Sequence, residues 1–224
     1  QSKKCFDNIN KNVPEHIIIQ EWNDLRNIMW SQNGIVSPKR FVHYIQKLAE
    51  EKDRQLFTGW AQNDLPEFLL FIVECMHNSI SRCVKMNING KPNGETDHLA
   101  ISCYQMLKNI YTKEYSEIME LFYGIYVSEL TSSDGTIVHS VRPESYSMLD
   151  LELPKKTPTL YDCFDSFTCY EKLEGENAWF NDKTQQKENV KKRITFWSLP
   201  KILIITLKRF SFDGRHKRQD LVQC

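Results

Sequence analysis

The stretch Phe57-Thr58-Gly59-Trp60-Ala61-Gln62-Asn63-Asp64-Leu65-Pro66-Glu67-Phe68-Leu69-Leu70 joins a glycine turn, an acidic helix start and an apolar helix, and it leaves this part of the chain little freedom in how to fold. Asp64 stands at an N-cap position, and Pro66 suits the first turn, where its missing N–H goes unnoticed. Glu67, three residues after Asp64, completes the pattern of a capping box. Beyond it Phe68, Leu69, Ile72, Val73, Cys75, Met76 and Ile80 recur at helical spacing. Two carboxylates are thereby brought to one helix N-terminus, which suits plain capping or recognition of a basic peptide.

Helical periodicity runs through the first half. Residues 17–30 place Ile18, Ile19, Trp22, Leu25, Ile28 and Met29 on one stripe, closed by Gly34 and Pro38. A second helix follows Ser37-Pro38 and carries Phe41, Ile45 and Leu48. Residues 87–97 are polar and rich in turn formers and read as a loop, followed by helices over residues 99–111 and 115–122. From Ile125 onwards β-branched and aromatic residues take over, at Val127, Ile137, Val138 and Val141, and then in the alternation Leu149, Leu151, Leu153. A last helix is expected over residues 159–167, with Leu160, Cys163, Phe164 and Phe167 on one face, and residues 202–207 read as a buried strand. Helices first and strands later imply an α+β fold.

The 224 residues suffice for one large domain, with room for subdivision. Lys plus Arg and Asp plus Glu are equal at 29 each, so no global field selects nucleic acid or an acidic membrane surface as a partner. Seven cysteines form no compact framework, and neither a leader nor a long apolar span is visible, which points to a reducing, intracellular compartment, cytoplasmic or nuclear. The abrupt start at Gln1 and stop at Cys224 suggest an excised piece of a longer protein.

Five segments, in order, resemble the catalytic domain of the ubiquitin-specific proteases, the thiol-dependent ubiquitin carboxyl-terminal hydrolases. Val36-Ser37-Pro38-Lys39-Arg40-Phe41 is similar to the segment before the family's Gln-Gln-Asp-Ala-x-Glu-Phe-Leu box, which stands here as Gln62-Asn63-Asp64-Leu65-Pro66-Glu67-Phe68-Leu69. Leu121-Phe122-Tyr123-Gly124 with Ser128 resembles the entry into the fingers, and Tyr161 to Trp179 the family's helix and its Glu-x-Leu-x-Gly-x-Asn-x-Trp turn, which stands here at residues 171–179. Leu199-Pro200-Lys201-Ile202-Leu203 through Leu207-Lys208-Arg209-Phe210 matches its Leu-Pro to Leu-Lys-Arg-Phe strand. The resemblance implies a papain-like α+β fold of thumb, palm and fingers, incomplete at both ends. Residues 1–122 would be the mainly helical thumb part, 123–198 a fingers-like β region with the helix 159–167, and 199–224 palm strands. It also implies ubiquitin or a ubiquitinated protein as partner. Gln62, Asp64 and Glu67 would face the arginine-bearing ubiquitin tail, with Phe210 as an apolar wall.

Two departures stand out. Where many relatives carry two zinc-binding Cys-x-x-Cys pairs, this chain has Thr131 and Asp134, then Asn181 and Thr184. Hard or neutral side chains do not replace the thiolates of a structural zinc site, so neither a metal nor any other cofactor is expected. Cys163 and Cys169 lack a second pair and read as buried thiols, and His77, His98 and His139 as lone structural or solvated residues. The family's histidine box, Gly-His-Tyr, is not found. Its nucleophile box survives only as Cys5-Phe6-Asp7-Asn8, after Ser2-Lys3-Lys4 and close to the first helix. Cys5 is therefore a candidate nucleophile that reads more simply as an inert thiol. The expectation is a central portion of a deubiquitinase whose catalytic boxes lie elsewhere. The alternative is an inactive ubiquitin-binding or scaffolding module of the same fold.

Overall fold

The computed structural model describes residues 7–31, 33–59, 62–154 and 158–209. Its contacts divide into two compact units, one made of the chain up to Asn87 with Lys108–Leu121, the other of Ile88–Leu107 with the chain from Phe122.

The first unit is helical. It contains α1 (His16–Ser31), α2 (Lys39–Glu51), α3 (Leu65–Ile80), the last turns of α4 (Glu95–Glu114) and most of α5 (Glu117–Phe122). From Phe71 to Ile80 only Glu74 of α3 is exposed, as expected for a helix apolar on nearly every side. Its core joins Ile18, Ile45, Leu48, Ala49, Phe57, Phe71 and Cys75, where each large side chain contributes about 1.5–3 kcal/mol by leaving water. The apolar stripe of α1 is only half covered. Ile18 and Ile19 are buried, but Ile28, Met29 and Trp30 are exposed, Trp30 to 79 %. Glu15 is buried and held by Lys52 Nζ at 2.6 Å, while the Asn78 amide donates to it at 3.2 Å. Burial pushes this carboxyl up, but the hydrogen bond and charge of Lys52 and the amide of Asn78 outweigh it, leaving the net value lowered. His77 is a core residue, its Nδ1 2.7 Å from the buried Ser116 hydroxyl, and burial pushes its pKa down.

The second unit carries the sheets. β1 (Gly124–Ser132), β2 (Val138–Tyr146), β7 (Val190–Ser198) and β4 (Glu171–Leu173) form an antiparallel sheet in the order β2-β1-β7-β4. β5 (Trp179–Asn181) pairs with β6 (Gln186–Glu188), and β3 (Leu149–Glu152) pairs in parallel with β8 (Ile205–Lys208). Alternation gives β1 two covered faces. Ile125 and Val127 pack on Cys103 of α4, and Tyr126 joins Tyr146, Leu149, Leu151 and Cys163 with Phe164, Phe167 and Phe196. α6 (Leu160–Thr168) opens with a reciprocal capping box between Thr159 and Asp162.

Three local expectations need correction. The strand expected over residues 202–207 is β8, which begins at Ile205, and Ile202 is 47 % exposed. Among the described residues β8 pairs with β3, and Ile205, Thr206 and Leu207 are half-buried and Lys208 exposed, where a buried strand was expected. The loop expected over 87–97 ends sooner, because Glu95 and Asp97 stand in the first turn of α4, where the Asp97 carboxylate accepts the Asn93 N–H at 2.8 Å. Cys163 is buried as expected, but Cys169 is exposed, being the extended residue that ends α6.

Candidate functional site

The start of α3 is built largely by its own sequence. Asp64 has extended backbone angles, and its Oδ1 accepts the Glu67 N–H at 3.1 Å while its carbonyl accepts the Phe68 N–H at 3.1 Å. The Asp64 half of the expected capping box is therefore present. Asp64 and Glu67 are both exposed, as are Gln62 and Leu65.

Beside this helix start lies a cleft of about 210 Å³, lined by Val42, Ile45 and Gln46 of α2, Phe57 and Gly59 of the preceding turn, and Asn63, Asp64, Leu65 and Phe68. Its floor is aromatic, formed by Phe57 and Phe68, whose rings meet edge-on at 5.4 Å, and Phe57 is backed by the buried Phe71 at 5.2 Å. Its rim is polar. The Gln46 amide donates to the Gly59 carbonyl at 3.2 Å and so ties the turn to α2. A carboxylate beside an apolar floor suits an extended segment that alternates cationic and aliphatic side chains.

Of the expected tail-binding residues Asp64 lines the cleft, whereas Gln62 and Glu67 are exposed but are not among its lining residues, and the floor carries no signal in the sequence. Phe57 lay inside the opening stretch, yet only the fold brings Ile45 and Val42 of the previous helix against it. Phe210 and Cys5 lie outside the described residues. Of the described cysteines, Cys75, Cys103 and Cys163 are buried, and burial pushes the Cys75 thiol up to about 12, far from a nucleophile's range. Cys83 and Cys169 are exposed and donate to the main-chain carbonyls of Lys113 and Ser166.

A larger cavity of about 390 Å³ lies in the second unit, walled by Asp150, Glu152, Glu171, Lys192 and Lys208 over Phe167 and Ile194. Its charges largely answer one another, with Lys208 3.2 Å from Glu152 and 4.0 Å from Asp150.

Of the four positions expected to stand in place of zinc thiolates, three have side chains engaged in hydrogen bonds of their own hairpins and the fourth is buried in a strand. Asp134 accepts from Ser132 and from the N–H and hydroxyl of Thr136, bonds that hold its carboxyl down at about 2. Asn181 and Thr184 both donate to Glu188, at 2.9 and 2.6 Å, and Thr131 is buried in β1. The Ser133 hydroxyl donates to the Asn189 carbonyl at 2.8 Å, linking the two hairpins. The fingers-like region is thus held by polar side chains as well as by strand pairing. These donors do not fit a zinc ion, and among the described residues no group of three or more His, Cys, Asp or Glu is placed to hold a metal.

The family profile described as ubiquitin carboxyl-terminal hydrolase matches residues 1–224. Ubiquitin carboxyl-terminal hydrolase 2 of Gallus gallus is 31% identical over 202 residues, covering 87% of this chain and 54% of that protein. Ubiquitin carboxyl-terminal hydrolase 4 of Eremothecium gossypii is 30% identical over 206 residues, covering 87% of this chain and 23% of that protein. The chain spans about half the length, or less, of these curated relatives. Among solved structures, a chain of the SAGA Ubp8/Sgf11/Sus1/Sgf73 DUB module bound to ubiquitin aldehyde shares the α+β fold with a TM-score of 0.66 at 19% identity, over 99% of this chain and 44% of that one. Full-length agreement with the profile, relatives at this identity and a common fold lead to one conclusion: the chain belongs to the ubiquitin carboxyl-terminal hydrolase family.

Proposed function

We propose that this chain is the ubiquitin-binding central portion of a thiol-dependent deubiquitinase, an intracellular enzyme of cytoplasm or nucleus that hydrolyses the isopeptide bond after the C-terminal glycine of ubiquitin. Residues 1–122 serve as thumb, 123–198 as fingers and 199–224 as palm strands. The observation that carries this reading is the exposed carboxylate of Asp64 in the lining of an apolar cleft, with a second exposed carboxylate, Glu67, in the first turn of the same helix. Asp64 and Glu67 receive arginine side chains of the ubiquitin tail, Gln62 supports its main chain, and Phe210 walls its leucines. Each charge-assisted pair contributes about 1.5–3 kcal/mol. The nucleophile is Cys5 or a cysteine of the longer protein.

Calorimetric titration of the chain with ubiquitin tests the reading. Saturable binding is expected, and Asp64→Arg with Glu67→Arg should weaken it by tenfold or more, since about 1.4 kcal/mol is one decade. Binding unchanged in a folded double variant would refute the role of these carboxylates. A second reading, an inactive ubiquitin-binding module of the same fold, is favoured by the hydrogen-bonded hairpins that stand where relatives hold zinc. Turnover of a fluorogenic ubiquitin amide by a chain extended to the relatives' length separates the two.

A further inference from the structure

Two Ser/Thr-Pro dipeptides occur in the chain, Ser37-Pro38 and Thr157-Pro158. They differ in access. Pro158 is fully buried, whereas Ser37 and Pro38 are exposed in an irregular segment that leads into α2. A proline ring forces the residue before it into extended backbone, the shape in which a peptide enters a kinase cleft. Proline also has no N–H to leave unsatisfied in the pocket that reads it. Lys39 and Arg40 follow directly, whereas Thr159 and Leu160 follow Pro158.

α2 begins with two cations, no acidic residue and no side-chain cap, so its first N–H groups and its dipole are left for an anion to answer. Arg40, 73% exposed, is held at its tip by Glu21 at 2.6 Å, a carboxylate that is itself buried.

We infer that Ser37 is a phosphoacceptor for a proline-directed kinase and that Arg40 receives the phosphate. Ser37 Oγ attacks the γ-phosphorus of a nucleoside triphosphate held by the kinase. The new Oγ–P bond forms as the bond to the β-phosphate oxygen breaks, the nucleoside diphosphate leaves, and the hydroxyl proton passes to the kinase's base. The phosphate dianion then competes with Glu21 for the Arg40 guanidinium, the fork best matched to it. This inference does not depend on the ubiquitin-binding reading.

The test is incubation of the folded chain with ATP and a cyclin-dependent-class kinase, followed by peptide mapping. One phosphate on Ser37 is expected, lost in Ser37→Ala and in Pro38→Ala, with circular dichroism confirming that both variants fold. No phosphate on the folded chain while a synthetic peptide of residues 33–44 accepts it, phosphate only at other sites, or equal labelling of Pro38→Ala overturns the inference. For the contact with Arg40, phosphorus NMR titration should give the phosphate a lower second pKa in the folded chain than in the same chain in urea. Equal values exclude that contact.

Discussion

Gly124 begins β1 where no side chain has room: a Cβ there would lie 2.6 Å from the Tyr146 ring and 2.7 Å from the Ser198 carbonyl oxygen. Both obstacles belong to neighbouring strands: the first is the tip of a buried side chain, and the second is backbone, which cannot step aside as a flexible side-chain tip can. Gly124→Ala should therefore lower stability by about 1–3 kcal/mol, seen as a fall in the urea midpoint without a change in slope. An unchanged midpoint would mean that the ends of β2 and β7 yield freely. At this scale the sequence is informative where the cause is local. Asp64, Pro66 and Glu67 announce a helix start because every group involved lies within one turn. Gly124 was legible as a family-like position, but its steric reason was not, because Tyr146 and Ser198 are remote in sequence. The exposure of Cys169 has no mark in the sequence because it depends on where α6 ends, and one residue decides it.

The two hairpins of the fingers-like region show how an element persists without thiolates at its tip. In the first, Asp134 gathers Ser132 and Thr136. In the second, Glu188 gathers Asn181 and Thr184, and Ser133 bridges the two. The hydrogen bonds from Ser132 and Thr136 hold the Asp134 carboxyl at about 2, below its ordinary 3.8. A group lowered on folding stabilises the fold above its unfolded value and loses that contribution as pH falls through the folded one. Asp134→Asn should accordingly flatten the loss of stability between pH 3.8 and about 2, read as urea midpoints at those two values. An equally steep loss in the variant would assign the acid sensitivity to other carboxylates. The missing thiolates were legible in the sequence, but the replacement was not, since Glu188 and Ser133 join the tips only through strand register. α3 was legible for the opposite reason, having its cap and its stripe in one run, whereas the exposed half of the α1 stripe shows that periodicity names a face without naming what covers it.

Across the whole molecule, burial separates residues that composition treats alike. Leu151 is fully buried in the core of the second unit, and Leu65 is 72% exposed at the cleft. Leu151→Ala should cost about 2–5 kcal/mol, and Leu65→Ala no more than about 0.5 kcal/mol, in denaturant unfolding. Comparable losses would mean that the cleft is closed by packing in solution. The order of helices before strands made the α+β class legible, because each element's period is written in its own residues. The division between Leu107 and Lys108 inside α4 leaves no such mark, having neither glycine nor proline to announce it. The tie between Asp64 and its own helix reaches furthest. A carboxylate already fixed by the Glu67 N–H has surrendered most of its rotational freedom before any partner arrives, so the ordering that binding normally demands is small there. What a ligand meets at Asp64 is a direction as well as a charge. Asp64→Glu, which keeps the charge and loosens the tie, should weaken ubiquitin binding while leaving its dependence on salt unchanged.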